Sequence, residues 1–180
     1  MTATDTHDSL VHAMSSPPRL PGAYRALLGL GMASLPAIRQ GLTHPDAVVR
    51  EHCCKLLDHL LVDDAVQDLI AMLDDVDARV RVAALHALSC DRCKTDSCRP
   101  DQAVVLPLGI KLLHQDPDAR VRAMAAELVG RWTHTNSDAA TALARARDDD
   151  PSPAVRKKAG WYTPGGPIHR RTSPQSIRRS

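Results

Sequence analysis

Four residues able to hold a borderline-soft metal fall within thirteen positions: His86, Cys90, Cys93 and Cys98, in the pattern His-x3-Cys-x2-Cys-x4-Cys. Thiolates and an imidazole at this density suit a tetrahedral Zn²⁺ ion. The Cys-x2-Cys turn brings two sulfurs to one ion, and His86 lies one helical turn before Cys90, on the same flank. A site closed by protein ligands is structural, because a catalytic zinc keeps an open position. Zinc ribbons and fingers supply ligands in two well-separated pairs, which this spacing does not reproduce. The fourth ligand is therefore open: His86 is the first choice, and Cys53, Cys54, His52 and His114 are the other donors at hand. The same residues admit three further readings. Cys90 and Cys93 form a dithiol that would be redox active or a redox-regulated switch if its thiol pKa were low. Three cysteines would hold an iron–sulfur cluster with an outside ligand. Or all are ordinary reduced thiols in a polar loop.

Other chemistry is not visible. There is no Gly-rich phosphate loop, no Gly-x-Ser-x-Gly elbow and no His-Glu-x-x-His. The expectation is a protein that is not an enzyme. The remaining histidines are scattered without ligand spacing, and Cys53 reads as a small core hydrophobe on a helix face. With no Phe, two Trp and two Tyr, the chain is poorly equipped for aromatic stacking on a ligand.

The elements that carry these residues are set by a repeated phrase. It reads Asp46-Ala-Val-Val-Arg50, Asp77-Ala-Arg-Val-Arg81 and Asp118-Ala-Arg-Val-Arg122, with a worn copy at Ser152-Pro-Ala-Val-Arg156. The arginines are 31, 41 and 34 residues apart. A unit of 30-odd residues, repeated, marks a solenoid of stacked helix pairs. An Ala-rich apolar run at helical spacing follows each phrase: Val49, Cys53, Leu56, Leu57 and Leu60; Val80, Ala83, Ala84, Ala87 and Leu88; Val121, Met124, Ala125, Leu128, Val129 and Trp132. The predicted pairs are 35–42 with 47–61, 64–73 with 78–90, 101–114 with 119–132, and 137–147 with 154–161. The long second spacing is an insertion at residues 89–100, and it holds the three clustered cysteines.

These phrases resemble the HEAT-repeat family, in particular its short bacterial, phycobilisome-lyase-like form, over roughly residues 34–160. The resemblance implies an all-α, right-handed HEAT-like solenoid of about four helix pairs with an N-terminal helical cap. It implies a ladder in which Asp46, Asp77 and Asp118 cap helices or pair with Arg50, Arg81, Arg122 and Arg156 of their own or the next repeat. Arg79 and Arg120 lie off the apolar stripes and are expected to face solvent. The resemblance also implies a scaffold or adaptor that binds a protein partner along its concave face. HEAT-like DNA glycosylases need a basic face with aromatic residues, and bilin lyases work as paired subunits; no residues here mark either site.

The expected organisation is a flexible N-terminus over 1–19, a repeat array over 20–162 and a disordered basic tail over 163–180. A short helix through 9–14 would be broken at Ser15-Ser-Pro-Pro18. Residues 1–150 carry 16 basic and 21 acidic residues, whereas from Pro151 onward there are seven basic and no acidic ones. In the tail, Arg170, Arg171, Arg178 and Arg179 would bind a nucleic acid or other polyanion by counterion release. No signal peptide or membrane span is visible, which points to the cytoplasm and reduced thiols.

Overall fold

A computed structural model describes residues 3–60, 64–90 and 100–174 of the 180-residue chain. It is built of helices, with no strand among the described residues. By internal contacts it divides into two compact units, residues 1–100 and 101–180.

The first unit begins with α1 (Ala3–Ala13), α2 (Leu20–Leu30) and α3 (Leu35–Gly41). It continues with α4 (Ala47–Leu60), α5 (Asp64–Ala71) and α6 (Ala78–Ser89). Helix α1 packs on α2 and α3, α3 and α2 on α4, and α4 on α6. The expectation of a loose segment over residues 1–19 does not describe 3–19. Val11 and Met14 are buried, and His12 Nδ1 meets His44 Nε2 at 3.2 Å, which seats the first helix against the turn after α3. The close approach has a sequence cause at Gly41. A Cβ there would stand 2.6 Å from Cys53 Sγ and 2.7 Å from Val11 Cγ1, so only glycine lets α1, α3 and α4 meet.

The second unit holds α7 (Gln102–Gln115), α8 (Ala119–Gly130), α9 (Ser137–Asp149), α10 (Pro153–Tyr162) and α11 (Pro167–Arg171). Helix α8 packs on α7, α9 and α10, and α10 on α9 and α11. The last of these corrects the expectation for the segment after residue 162. Gly165, at φ +87°, makes a tight turn that few side chains tolerate, and Pro167 opens a one-turn helix. Thr163 is buried, Thr133 Oγ1 donates to the Tyr162 carbonyl at 2.9 Å, and the His134 and His169 rings meet at a 47° tilt with centroids 4.3 Å apart. Gly166 is buried too, while α11 itself has no buried residue; residues 175–180 lie outside the described ones.

The cores follow the predicted stripes, built from small and branched side chains: Val49, Cys53, Leu56 and Leu57; Val80, Ala83, Ala84, Ala87 and Leu88; Val121, Ala125, Leu128 and Val129 are all buried. Leu60, Met124 and Trp132, which the same spacing placed inside, are only half-buried, because they stand at the edges of their stripes.

Candidate metal centre, turn ladder and groove

The Asp-to-Arg phrases build the turns inside the first three helix pairs. Asp46 Oδ1 accepts the Val48 N–H at 2.9 Å, Asp77 Oδ1 that of Arg79 at 2.9 Å, and Asp118 Oδ1 that of Arg120 at 2.7 Å. Each thus satisfies a backbone donor that a helix start leaves open. The arginine four residues on folds back over its own turn. Nη1 of Arg50 donates to the His44 and Pro45 carbonyls, that of Arg81 to Asp75 and Val76, that of Arg122 to Asp116 and Pro117, and that of Arg156 to Asp150 and Pro151.

The ion pairs run to a second set of aspartates, two residues before the caps. Arg50 grips Asp75 with two hydrogen bonds of 2.7 and 2.8 Å, and Arg122 grips Asp150 with two of 2.8 and 3.0 Å. In both pairs the arginine side chain is 11% exposed and the aspartate 6%. The fork of a guanidinium matches a carboxylate in this way, and burial strengthens the match. Asp75, Asp116 and Asp150 each also accept the backbone N–H of the residue two further on, at 2.8–2.9 Å. In the first repeat His44 takes this role, its Nδ1 accepting the Asp46 N–H at 3.1 Å.

Sequence reasoning passed over these aspartates. Their signal was present as an Asp two residues before each capping position in the later copies. Arg79 and Arg120 face solvent as expected, each held by the capping Asp beside it. Those arginines, through side-chain hydrogen bonds first and backbone N–H groups second, bring Asp77 and Asp118 down to about 2. Burial pushes Asp75 and Asp150 up, but the arginine fork and the backbone N–H outweigh it, and both carboxyls end below their ordinary range.

The metal-binding expectation meets this frame in the first unit. His86, in the last turn of α6, and Cys90, the residue that caps that helix, come together with Asp58 of α4. One donor atom from each lies within 4.8 Å of the other two, and His86 Nε2 is 3.9 Å from Asp58 Oδ2. The Cys90 N–H and the Ser89 hydroxyl both donate to the His86 carbonyl, at 2.9 and 3.1 Å, which closes the helix end and sets Cys90 beside His86. Asp58 is buried at 4% exposure, whereas the His86 side chain is half exposed.

Cys93 and Cys98, the other two expected ligands, lie outside the described residues. Of the further donors considered, Cys53 and Cys54 are buried, and burial pushes the first thiol up to about 12 and the second higher still, so both are protonated core residues. His52 bonds the Val48 carbonyl, and His114 stands on α7 in the other unit. Asp58 was not anticipated. Its signal was a carboxylate at the position where the next two copies carry Ser89 and Gly130.

The pair His12–His44 is not a second metal centre. His44 Nδ1 accepts a backbone N–H, so a neutral His44 carries its proton on Nε2 and donates it to His12.

In the second unit a groove of about 770 Å³ lies along the first helices of the third and fourth pairs, α7 and α9. Ala103, Leu106, Pro107 and Ile110 line its apolar part, and Asp101 and Asp138 stand at its rim. Val104, on the same helix, is 43% exposed. Arg170 and Arg171 are exposed on α11, and Arg178 and Arg179 are outside the described residues.

Paired helices locked turn to turn by one arginine and two aspartates define an α-solenoid repeat protein. Residues 35–106 match the family model described as HEAT repeats. That segment thus carries HEAT repeats, and the described residues have the all-α solenoid fold. No curated protein matches it. Among solved structures it is similar to the complex of CpcE and CpcF of phycocyanin lyase from Nostoc sp. PCC7120, with a TM-score of 0.70 and 18% identity over 86% of this chain and 96% of that one. It is similar to a designed armadillo repeat protein in complex with the peptide (KR)4, with a TM-score of 0.57 and 19% identity over 86% and 79% of the two chains. An engineered protein matches with a TM-score of 0.57 and 17% identity over 99% and 89%. At these identities the likeness is one of fold. No helix among the described residues is long and apolar enough to cross a membrane.

Proposed function

We propose that this protein is a non-catalytic interaction module that binds a protein segment carrying apolar anchors flanked by basic residues. The groove on α7 and α9 carries the reading: an apolar floor of Leu106, Pro107 and Ile110 between the carboxylates of Asp101 and Asp138. Apolar floors with a polar rim are how such surfaces take up anchor side chains. The two carboxylates beside the groove, Asp101 and Asp138, favour a basic partner there. A designed armadillo protein of similar fold holds a basic peptide, (KR)4, and CpcE and CpcF pair with each other, which supports a binding role for this architecture.

Selection of displayed peptides against the full chain tests the proposal. Enriched sequences should combine Leu, Ile or Met with Lys or Arg. Their binding, read by fluorescence polarisation, should fall at least about 10-fold in Ile110→Glu and in Asp138→Lys. Enrichment of acidic peptides, or binding indifferent to both substitutions, would overturn it.

The same reading includes a structural zinc ion at the Cys-rich insertion. Cys90, Cys93 and Cys98 with His86 supply the donors, and the ion would order a long loop at low cost in stability.

A further inference from the structure

We infer that the metal site is a cross-helix staple in which Asp58 of α4 is a ligand, together with His86 and Cys90 of α6. This deepens the zinc reading above and rests on it, with Asp58 in place of one of the insertion's cysteines among the four tetrahedral donors.

Three observations carry it. The first is geometry. Two donors on one tetrahedral zinc, with bonds of about 2.0–2.3 Å, stand roughly 3.3–3.6 Å apart. The donor atoms of Asp58, His86 and Cys90 already lie within 4.8 Å of one another, and the Asp58–His86 distance of 3.9 Å is beyond a hydrogen bond but within a few tenths of an ångström of the ligand spacing. Closure calls for side-chain rotation alone: His86 is half exposed and free to turn, while buried Asp58 is the fixed point.

The second is the donor set. Thiolate, imidazole and carboxylate together exclude the hard cations Ca²⁺ and Mg²⁺, which take oxygen. A carboxylate and an imidazole beside a single described sulfur also disfavour an iron–sulfur cluster, which is held by cysteines. Zinc accepts all three donor types.

The third is charge. A Zn²⁺ ion beside the Asp58 carboxylate offsets its negative charge. That balance suits a carboxylate buried at 4% exposure, where a net charge would be costly.

The staple would tie the second helices of the first two repeats, α4 and α6, at the ends nearest the insertion. It would set where the insertion leaves the array, from Cys90 onward.

The test uses the full chain, purified without a His tag, stripped with a chelator and kept reduced. Co²⁺ is titrated as the optical probe, and Zn²⁺ is then titrated against a chelating dye. The variants are Asp58→Asn, His86→Gln and Cys90→Ser, each checked for helicity by circular dichroism. His86 is exposed, so its variant reports on ligation even if Asp58→Asn folds poorly. Wild type should bind one metal with the intense visible bands of tetrahedral Co²⁺ and a near-ultraviolet thiolate band. Asp58→Asn and His86→Gln should each lose at least about 10-fold in affinity, the loss expected even from a group one shell further out. Both should keep the thiolate band, and Cys90→Ser should weaken it. X-ray absorption of the wild-type zinc form should show light N or O neighbours at about 2.0 Å beside sulfur at about 2.3 Å.

An Asp58→Asn protein that binds as tightly as wild type, or an all-sulfur shell, overturns the staple while leaving zinc at the insertion in place. A wild type that binds neither Co²⁺ nor Zn²⁺ overturns both readings together.

Discussion

Replacing Asp150 by Ala should cost more stability than any exposed charge substitution in the second unit. Asp150 does three things at once. It accepts two hydrogen bonds from Arg122, at 2.8 and 3.0 Å, and it accepts the Ser152 N–H at 2.8 Å before α10. Both partners of the ion pair are nearly buried. Removing one member of a buried pair costs about 3–5 kcal/mol, because the other charge stays desolvated. Here Arg122 keeps its Nη1 bonds to the Asp116 and Pro117 carbonyls, so the lower end, about 3 kcal/mol, is expected. For a chain of this size that is roughly 6–12 °C in Tm.

The assay is equilibrium urea unfolding followed by tryptophan fluorescence. Both tryptophans, Trp132 and Trp161, belong to the second unit and report on it directly. Arg120→Ala is the control. Its pair with Asp118 is solvent-exposed, and its loss should cost under about 1 kcal/mol. Arg122→Met together with Asp150→Ala should recover part of the loss, since no buried charge is then left over.

The sign with pH follows from the lowered Asp150 carboxyl. A carboxyl held below its unfolded value stabilises the fold above about pH 4 and loses that contribution as pH falls further. The gap between wild type and Asp150→Ala should therefore narrow in acid. A loss no larger than that of Arg120→Ala, or a gap that widens as pH falls, would refute the ladder as a source of stability.

Three other outcomes follow from the packing. Gly41→Ala should destabilise by about 1–3 kcal/mol in urea unfolding, because the added methyl collides with Cys53 and Val11. Met14→Ala should cost about 2–4 kcal/mol, followed by circular dichroism because both tryptophans lie in the other unit; a neutral result would mean that α1 is not part of the core. Cys53 and Cys54 should resist alkylation in the native protein and react on unfolding, as peptide mapping would show.

Much of this protein can be read from its repeats. Asp46, Asp77 and Asp118 recur with an arginine four residues on because a helix start leaves N–H groups that a nearby carboxylate can fill. That is a local rule, and spacing alone reveals it. The apolar stripes are legible for the same reason: helical period is a local property, and a face with Val80, Ala83, Ala84 and Ala87 has to be covered. Gly165 and Pro167 also carried a turn and a helix start, yet the basic composition around them suggested an unstructured tail.

What the chain order hides is which residues meet across helices. Arg50 and Asp75 are 25 residues apart and Arg122 and Asp150 are 28, and a stretch of residues gives no sign of which carboxylate a guanidinium will choose. Likewise His86 and Cys90 could be paired from their spacing on one helix, but Asp58 sits on another. Local sequence determined where helices start, which faces are apolar and that the units repeat, because those depend on neighbours within a turn or two. The tertiary structure decided the ion pairs, the seating of α1 and α11 and the placing of Asp58 beside His86 and Cys90, because packing one helix on another brings together residues that the sequence keeps apart.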